Sequence, residues 1–304
     1  MLKKWIKYLC DPIDKTSLSV SKITSRDGEY IISGILKSRS GNIYKIKNGV
    51  PILISKKTQG VSSVESFAYE WNTFDFDYGK KGWLNDIVEP VVDSTKYFKD
   101  KVVIDCGAGS GRQSLWIAEA GAKFVFSIEL SDSATTIVKR VTSKFKNRIF
   151  VIQADIAHLP LKRNIANIDV AYCVNVIQHT KNPLKGTEEI SKLLNKNSTF
   201  IFNIYLLRGN KLKILIIQFI KKLLSRLPKS IIKKISYLIA IFLYPFWVNK
   251  HSIKEFWLDI YDLLGTHSYQ KFYSLKYLDE LLTESKLMIK KTSYYSMLLK
   301  KSIN

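Results

Sequence analysis

The residues that could do chemistry begin where one apolar segment ends, in Val102-Val-Ile-Asp105-Cys-Gly107-Ala-Gly109-Ser-Gly111. An acid followed by three glycines at alternate positions lets the backbone turn sharply, and it lets a ligand approach without meeting a Cβ. The spacing excludes two phosphate-binding loops. Arg112 stands where a dinucleotide fingerprint needs its last glycine, and the Gly-Lys-Ser/Thr of a P-loop is absent. A ligand that carries an amino group instead of phosphates suits the carboxylate of Asp105.

Two more acids follow at matching places in the chain. Glu129 closes the next apolar segment, 18 residues after Gly111, where a carboxylate can accept both hydroxyls of a ribose. Asp155 follows a third apolar segment and would lie beside an adenine amine. Ligands of open α/β sheets bind outside the carboxyl ends of the strands, so three acids at three successive strand ends predict one binding site.

The elements that must position these acids alternate between strand and helix. Apolar strands are predicted at 101–105, 123–129, 149–153, 168–174 and 199–204, with helical stretches between them. Continuous apolar strands separated by helices are typical of a parallel sheet covered on both faces. An amphipathic helix at 274–282 and two strands at 287–292 and 295–299 would close the sheet. The predicted fold class is therefore α/β, with a doubly wound, Rossmann-like sheet of seven strands.

At these residues the chain resembles the class I S-adenosylmethionine-dependent methyltransferases, particularly their small-molecule, type 11-like branch, from residue 101 to about 205. The resemblance implies that S-adenosylmethionine is the cofactor and that its methionine part lies on Asp105 and the glycine loop. Glu129 would take the ribose, and Asp155 with the backbone of Ile156 the adenine. The full set of implied cofactor-binding residues is Asp105, Gly107, Ala108, Gly109, Gly111, Glu129, Leu130, Asp155, Ile156 and Asn175.

The segment 169–179 matches the family's fourth-strand motif, whose end lies beside the sulfonium and the acceptor. A hydroxyl or ammonium acceptor needs a base, and histidine suits neutral pH. His179, at the end of this motif, is the first candidate for catalysis and His267 is the second. A structural role stays open for both. Aromatic residues at 67–74 predict a lid, with core packing as the alternative, and polar and aromatic residues at 259–273 predict part of the acceptor site.

The first 57 residues are predicted to form a small β-rich domain, followed by connector and lid helices at 58–100 and the catalytic domain at 101–304. Residues 9–15 and 41–53 resemble a zinc-ribbon-derived domain related to the activator subunit of tRNA methyltransferases. The metal form of that domain needs two cysteine pairs, but only Cys10 remains, and Lys37 and Ser40 stand at the second pair's positions. A tetrahedral zinc site needs four ligands, so no metal is expected.

A helical insertion is predicted at 206–265, and residues 206–250 contain ten Lys/Arg and no Asp/Glu. At about 100° per residue one stripe is basic and the opposite one apolar. The basic stripe holds Lys222, Arg226, Lys229 and Lys233, and the apolar stripe holds Ile217, Ile220, Leu224, Leu227 and Ile231. Pro228 should kink this helix or start a new one. Such a helix is a cap over the acceptor pocket, a contact with an anionic membrane, or both.

The net charge of +22 divides into +8 for residues 1–60, +2 for 61–205 and +12 for 206–304, and only 8 of the 48 basic residues are Arg. The core is thus nearly neutral, which disfavours nucleic acid as the partner. No secretory leader or membrane span is expected, and the predicted location is the cytoplasm, with peripheral contact at the inner face of the membrane. The predicted function is methyl transfer to a small-molecule, lipid-linked or cell-surface sugar acceptor. An RNA methyltransferase and a non-enzymatic binding module are the alternatives.

Overall fold

The computed structural model describes residues 1–54, 69, 79–141, 143–207, 219, 224, 227–246, 252–264 and 271–302. Its strands are β1 Leu18–Asp27, β2 Tyr30–Ser38, β3 Ile43–Lys47, β4 Val50–Leu53, β5 Val102–Cys106, β6 Phe124–Glu129, β7 Ile149–Ala154, β8 Ile168–Cys173, β9 Leu194–Phe202, β10 Leu287–Thr292 and β11 Met297–Lys301. Helix α1 is made of Lys80–Gly82, the π-helical Trp83–Val88 and Glu89–Val92. The other helices are α2 Arg112–Glu119, α3 Ala134–Arg140, α4 Arg163–Ala166, α5 Pro183–Ser191, α6 Lys229–Leu243, α7 Ile253–Leu264 and α8 Leu275–Glu284. Turns of 3-10 helix lie at Lys3–Tyr8, Thr95–Phe98, Ile156–His158, Ile177–His179 and Tyr244–Phe246.

The described strands form one sheet in the order β1-β2-β3-β4-β7-β6-β5-β8-β9-β11-β10. Strands β5 to β9 run parallel, and β11 pairs antiparallel with both β9 and β10. The order of the parallel strands reverses between β5 and β8, which brings the loops after these two strands together at one edge. The predicted α/β fold class is confirmed, and α8 with the β10–β11 hairpin closes the sheet as expected.

The N-terminal strands continue the same sheet. Strand β4 pairs parallel with β7, where Ile52 lies opposite Gln153. Trp5 packs its ring against Phe124 and Phe150, with ring centroids 5.6 and 4.7 Å apart, so the first residues share the core of the central strands. Strand β1 was not predicted from the sequence. The domain boundary at residue 57 stays a prediction.

Helices α6 and α7 pack on each other and form the described part of the predicted cap. Pro228 lies immediately before α6 and therefore starts a helix, one of the two outcomes expected for it. Ile232 of α6 packs against Leu258 and Tyr261 of α7, and Tyr69 of the predicted lid joins this cluster. The other lid aromatics lie outside the described residues, as do Lys222 and Arg226 of the predicted basic stripe. Within the described part of the chain, none of the helices has the length and apolar character needed to cross a membrane.

Candidate functional site

Asp105 is buried beneath the carboxyl end of the sheet. It lies at the end of β5, is 2% exposed, and accepts a hydrogen bond from the Ser114 hydroxyl at 2.5 Å. Ser114 in turn lies 2.8 Å from the Ser127 hydroxyl of β6. Burial raises the pKa of Asp105 to about 7, against the lowering effect of Ser114, and the nearby carboxylate of Glu129 raises it further. Sequence reasoning missed Ser114, because nothing in the sequence shows which strand a serine in the first turn of a helix faces.

The glycine loop folds back over the end of β6. The backbone N–H groups of Gly107 and Ala108 both donate to Ile128 O, at 2.8 and 2.9 Å. Gly107 and Gly111 have φ of 79° and 82°, which only glycine adopts without strain. A Cβ on Gly107 would also lie 2.4 Å from a methyl group of Val176. Gly109 also has a positive φ, of 58°, so all three predicted glycines lie in the left-handed region. Gly107 is required in addition by its close approach to the loop after β8.

Glu129 connects the glycine loop to the strand beside it. It ends β6, is 7% exposed, and accepts the backbone N–H of Gly109 on one carboxylate oxygen and that of Ser131 on the other, both at 2.8 Å. Burial raises its pKa, while the bonds from Ser131 and Gly109 lower it. A carboxylate has about four acceptor positions, so two remain after these bonds. That capacity fits a pair of ribose hydroxyls.

The third predicted acid lies one strand further out. Asp155 follows β7 and caps a 3-10 turn by accepting the Ala157 N–H at 2.9 Å. Its other oxygen is 3.7 Å from Nδ1 of His158, and its side chain is 23% exposed. Ile156, next to it, is buried at 6% exposure. Leu130 lies between these acids in space, since its carbonyl accepts a hydrogen bond from Gln153 of β7 at 3.1 Å. A partly exposed acceptor next to an apolar residue suits a heteroaromatic ring with an amine.

A pair of asparagine amides fixes the end of β8. Asn175 has φ of 61°, and its N–H donates to Asn203 Oδ1 at 2.7 Å, while its own Oδ1 accepts from Asn203 Nδ2 at 2.8 Å. Asn203 also donates to Tyr295 O at 3.1 Å. The predicted residue Asn175 is therefore held by a partner that the sequence analysis did not single out. The only sequence signal for Asn203 is a polar residue immediately after a buried strand.

Three aromatic rings lie in contact near the segment that follows β8. The His179 ring lies 5.9 Å from that of Tyr205 at 76°, and Tyr205 lies 5.7 Å from Phe272. The backbone of Lys271 donates to Gln178 O at 3.2 Å, so the segment before α8 lies against the 3-10 turn that carries His179. His267 lies outside the described residues.

Gln178 has a side-chain amide for which the described residues provide no partner. The residue is fully buried, and neither its Nε2 nor its Oε1 has a hydrogen bond. An unpaired buried amide costs about 1–3 kcal/mol, and in a folded protein it calls for an explanation. Gln178 adjoins His179 at the carboxyl edge of the sheet, which makes it a candidate ligand contact that the sequence analysis did not identify.

Comparison with known proteins agrees with this geometry. Residues 104–202 match the family model of a methyltransferase domain. This stretch is a methyltransferase domain of the S-adenosylmethionine-dependent class. The expected domain type and cofactor are thereby confirmed, while the likeness of residues 1–57 to a zinc ribbon stays a prediction.

Similar curated proteins include protein arginine N-methyltransferase 1 of Chlamydomonas reinhardtii, which is 40% identical over 74 residues, 23% of this chain and 21% of that protein. Protein arginine N-methyltransferase PRMT10 of Arabidopsis thaliana is 29% identical over 108 residues, 33% of this chain and 28% of that protein. The chain thus spans less than a third of the length of these relatives. Among solved structures, an S-adenosylmethionine-dependent methyltransferase of Aquifex aeolicus has a TM-score of 0.47 at 12% identity, covering 77% of this chain and 97% of that one.

The residues present fit S-adenosylmethionine by their chemistry. The strand ends supply a buried carboxylate at Asp105 for an amino group, spare acceptor positions on Glu129 for hydroxyls, and Asp155 beside an apolar surface. The role of each residue toward the cofactor stays a prediction.

The pH dependence of stability should report on Asp105. Its pKa of about 7 lies above the ordinary value of about 4 in an unfolded chain, so the folded protein holds this proton more tightly. The resulting stabilisation is complete below about pH 4 and is lost as the pH rises to about 7. The melting temperature of Asp105→Asn relative to wild type should therefore increase between about pH 5 and pH 8, measured by differential scanning fluorimetry. Asp279→Asn, at an exposed position of α8, is the control, and an equal trend in it would contradict the assignment.

Replacing Glu129 by Gln should weaken binding of S-adenosylhomocysteine, measured by calorimetric titration. The amide keeps one acceptor oxygen but turns an NH₂ group toward a backbone N–H, and it removes the charge that strengthens hydrogen bonds to hydroxyls. We expect a loss of roughly ten- to a hundredfold, about 1.4–2.8 kcal/mol. Glu284→Gln, on the exposed side of α8, should leave affinity unchanged. Wild-type affinity in Glu129→Gln would refute the ribose assignment.

Replacing Gln178 by Met should stabilise the protein, because it removes an unpaired buried amide at similar volume. The expected gain in unfolding free energy is about 1–3 kcal/mol, measured by urea denaturation. Gln153 provides the matched control: it is also buried, but its Nε2 donates to Leu130 O and to Asp132 Oδ1, both at 3.1 Å. Gln153→Met should therefore destabilise. A loss of stability in both variants would show that Gln178 has an internal structural role.

Proposed function

We propose that the chain is an S-adenosylmethionine-dependent methyltransferase acting on a small, amphiphilic acceptor such as a lipid-linked or cell-surface sugar intermediate. The observation that carries the enzyme class is the placement of Asp105, Glu129 and Asp155 at the ends of three neighbouring strands of a methyltransferase domain. The proposed location is the cytoplasm, at the inner face of the membrane that would hold such an acceptor.

Most residues of the proposed site position the cofactor, and one residue, His179, transfers a proton. When bound, the cofactor would supply a methyl group on positively charged sulfur for transfer to the acceptor, with the neutral thioether as the leaving group. Asp105, Glu129 and Asp155 hold the cofactor, and such orientation supplies much of the rate. His179, half-buried beside Tyr205, removes the proton from the acceptor hydroxyl or ammonium as that bond forms.

The acceptor side supports a partly apolar substrate. The described residues there are rich in rings: Tyr205 and Phe272 beside His179, and Tyr273 stacked on Tyr277 at 4.5 Å. Aromatic rings exclude water and stack on apolar or sugar surfaces. The cap formed by α6 and α7, with Tyr69 packed into it, is the proposed cover of this pocket.

A protein acceptor is the second candidate, because the curated relatives are named as arginine methyltransferases. Recognition of a guanidinium needs carboxylates in bidentate geometry. On the described part of the cap, Glu255 already accepts the backbone N–H of Gly79 at 3.2 Å and of Ser252 at 2.8 Å. An arginine-rich substrate would also meet a chain with a net charge of +22. The engagement of Glu255 and the net positive charge lead us to place the amphiphilic acceptor first.

We propose that the N-terminal strands form a relative of the zinc ribbon in which hydrogen bonds replace the metal. Asp11, next to Cys10, accepts from Asn42 Nδ2 at 2.9 Å, and Ser38 lies 2.8 Å from Ser40 by their hydroxyls. Burial raises the pKa of Cys10 to about 11, which keeps its thiol protonated, whereas a zinc ligand is a thiolate. The described residues contain no group of three or more His, Cys, Asp or Glu side chains able to hold a metal ion.

The proposed function is tested by methyl transfer from radiolabelled S-adenosylmethionine to three acceptor preparations. These are a bacterial lipid extract, an arginine-rich peptide and total tRNA, each separated from unreacted cofactor before counting. Label in the lipid fraction is the expected result. Label in peptide or in RNA would replace the proposed acceptor by the second candidate or by an RNA substrate. Cofactor binding without label anywhere would favour a binding module.

The base assignment predicts a specific kinetic change. His179→Ala should lower kcat about 10²- to 10⁴-fold, the usual contribution of general-base catalysis, with S-adenosylhomocysteine affinity unchanged. The acidic limb of the kcat–pH profile, where a general base becomes protonated, should disappear as well. A parallel loss of affinity and rate with an unaltered pH profile would instead make His179 a packing residue.

A further inference from the structure

Helix α6 is attached to the protein by one narrow side. Ile232, Ser236 and Ala240, four residues apart, are its buried residues. Ser236 accepts a hydrogen bond from Trp257 Nε1 at 3.0 Å, and Ala240 packs with Phe256 and Ile260 of α7. Small side chains at two of these three positions allow the helices to approach closely. Most of the large apolar side chains of α6 lie on a different face of the helix, which does not pack against α7.

That other face is apolar and exposed to solvent. Ile231, Leu238, Phe242 and Phe246 are 43%, 66%, 73% and 77% exposed, and they fall within an arc of about 80° if the helical turn is extended through the 3-10 residues. Tyr237, Ile241 and Leu243 flank them at 44%, 44% and 39% exposure. Single exposed apolar residues need no explanation, but a contiguous apolar patch of this kind marks an interaction site. The apolar stripe expected from the sequence reached only to Ile231, and the exposed patch continues beyond it.

The charged side chains of α6 itself, Lys229, Lys233 and Lys234, are of one sign. Residues 206–250 carry ten Lys/Arg and no acid. Lys234 is exposed at the edge of the apolar arc, and Lys233 lies 5.8 Å over the ring of Trp257. A second copy of this chain on the same face would bring the lysines of two α6 helices together. An apolar face bordered by lysines fits a surface that offers both acyl chains and negative headgroups.

We infer that α6 and Tyr244–Phe246 lie flat in the interface of an anionic bilayer, with Leu238, Phe242 and Phe246 below the phosphates and Lys234 at their level. The helix is about 22 Å long, too short to span a hydrocarbon core of about 30 Å, which agrees with an orientation in the plane of the membrane. The inference rests on the proposed function only for its purpose, the delivery of an amphiphilic acceptor. The surface itself follows from exposure and charge.

The test is flotation of the full chain with vesicles of phosphatidylcholine alone or mixed with phosphatidylglycerol. We expect binding to the anionic vesicles at low salt, weaker binding at ~0.5 M salt because headgroup attraction is screened, and little binding to phosphatidylcholine. The double variant Leu238→Ser/Phe242→Ser should bind at least tenfold less. The matched control is Ile43→Ser/Tyr294→Ser, which changes two side chains that are 66% and 74% exposed elsewhere on the surface and should bind as wild type does.

Three results would overturn the inference. One is absence of wild-type binding to anionic vesicles at low salt, and another is equal loss in the two double variants. The third is a concentration-dependent dimer, seen by analytical ultracentrifugation, that Leu238→Ser/Phe242→Ser dissolves, since a second copy would then be the occupant. Calorimetry with S-adenosylhomocysteine separates this inference from the proposed function. Vesicle binding without cofactor binding would support the membrane surface and refute the proposed enzyme function. Cofactor binding without vesicle binding would refute the membrane surface alone.

Discussion

Two carboxylates buried at the ends of adjacent parallel strands determine how the rest of the site is built. Asp105 and Glu129 are 2% and 7% exposed, and each raises a desolvation cost that the fold must offset. The fold gives them different donors: the Ser114 hydroxyl donates to Asp105, while the backbone N–H groups of Gly109 and Ser131 donate to Glu129. Since the donor from Gly109 belongs to the glycine loop, satisfying Glu129 also fixes the path of that loop. The left-handed backbone of Gly107 and Gly111 then follows from the same constraint.

The remainder of the carboxyl edge is joined by polar contacts between strand ends. The amide pair of Asn175 and Asn203 connects the ends of β8 and β9, and Asn203 extends the connection to Tyr295 in the turn between β10 and β11. The closing hairpin therefore supports the loop that carries His179, although it is far from that loop in sequence. Gln178 is the exception along this edge, since its amide receives no such support. An unpaired amide among paired groups is what makes Gln178 a candidate ligand contact.

The sequence was sufficient for the central strands, because strands buried on both faces are continuous apolar runs and their ends mark the site. It was insufficient for β1, most of whose side chains are exposed, so that neither an apolar run nor an alternation appears. The pairing of β4 with β7 was also beyond it, because strand neighbours distant in sequence leave no local pattern. Ser114, Gln178 and Asn203 were missed for a related reason: their roles depend on which side chain faces which strand end, and this is decided by tertiary packing.

Most of the net positive charge lies outside the part of the chain that holds the site. Residues 61–205, which hold the site, carry +2, whereas 206–304 carry +12, so the attractive field toward an anionic surface originates away from the cofactor residues. The cap is also held in register with the domain: Glu255 of α7 accepts the Gly79 N–H at the start of α1, and Trp83 of α1 donates to the hydroxyl of Tyr172, beside Asp105 in the sheet. A surface that orients α6 thereby orients the acceptor side as well. A nearly neutral site in a domain that also carries a basic, apolar helix agrees with the proposed membrane-held acceptor.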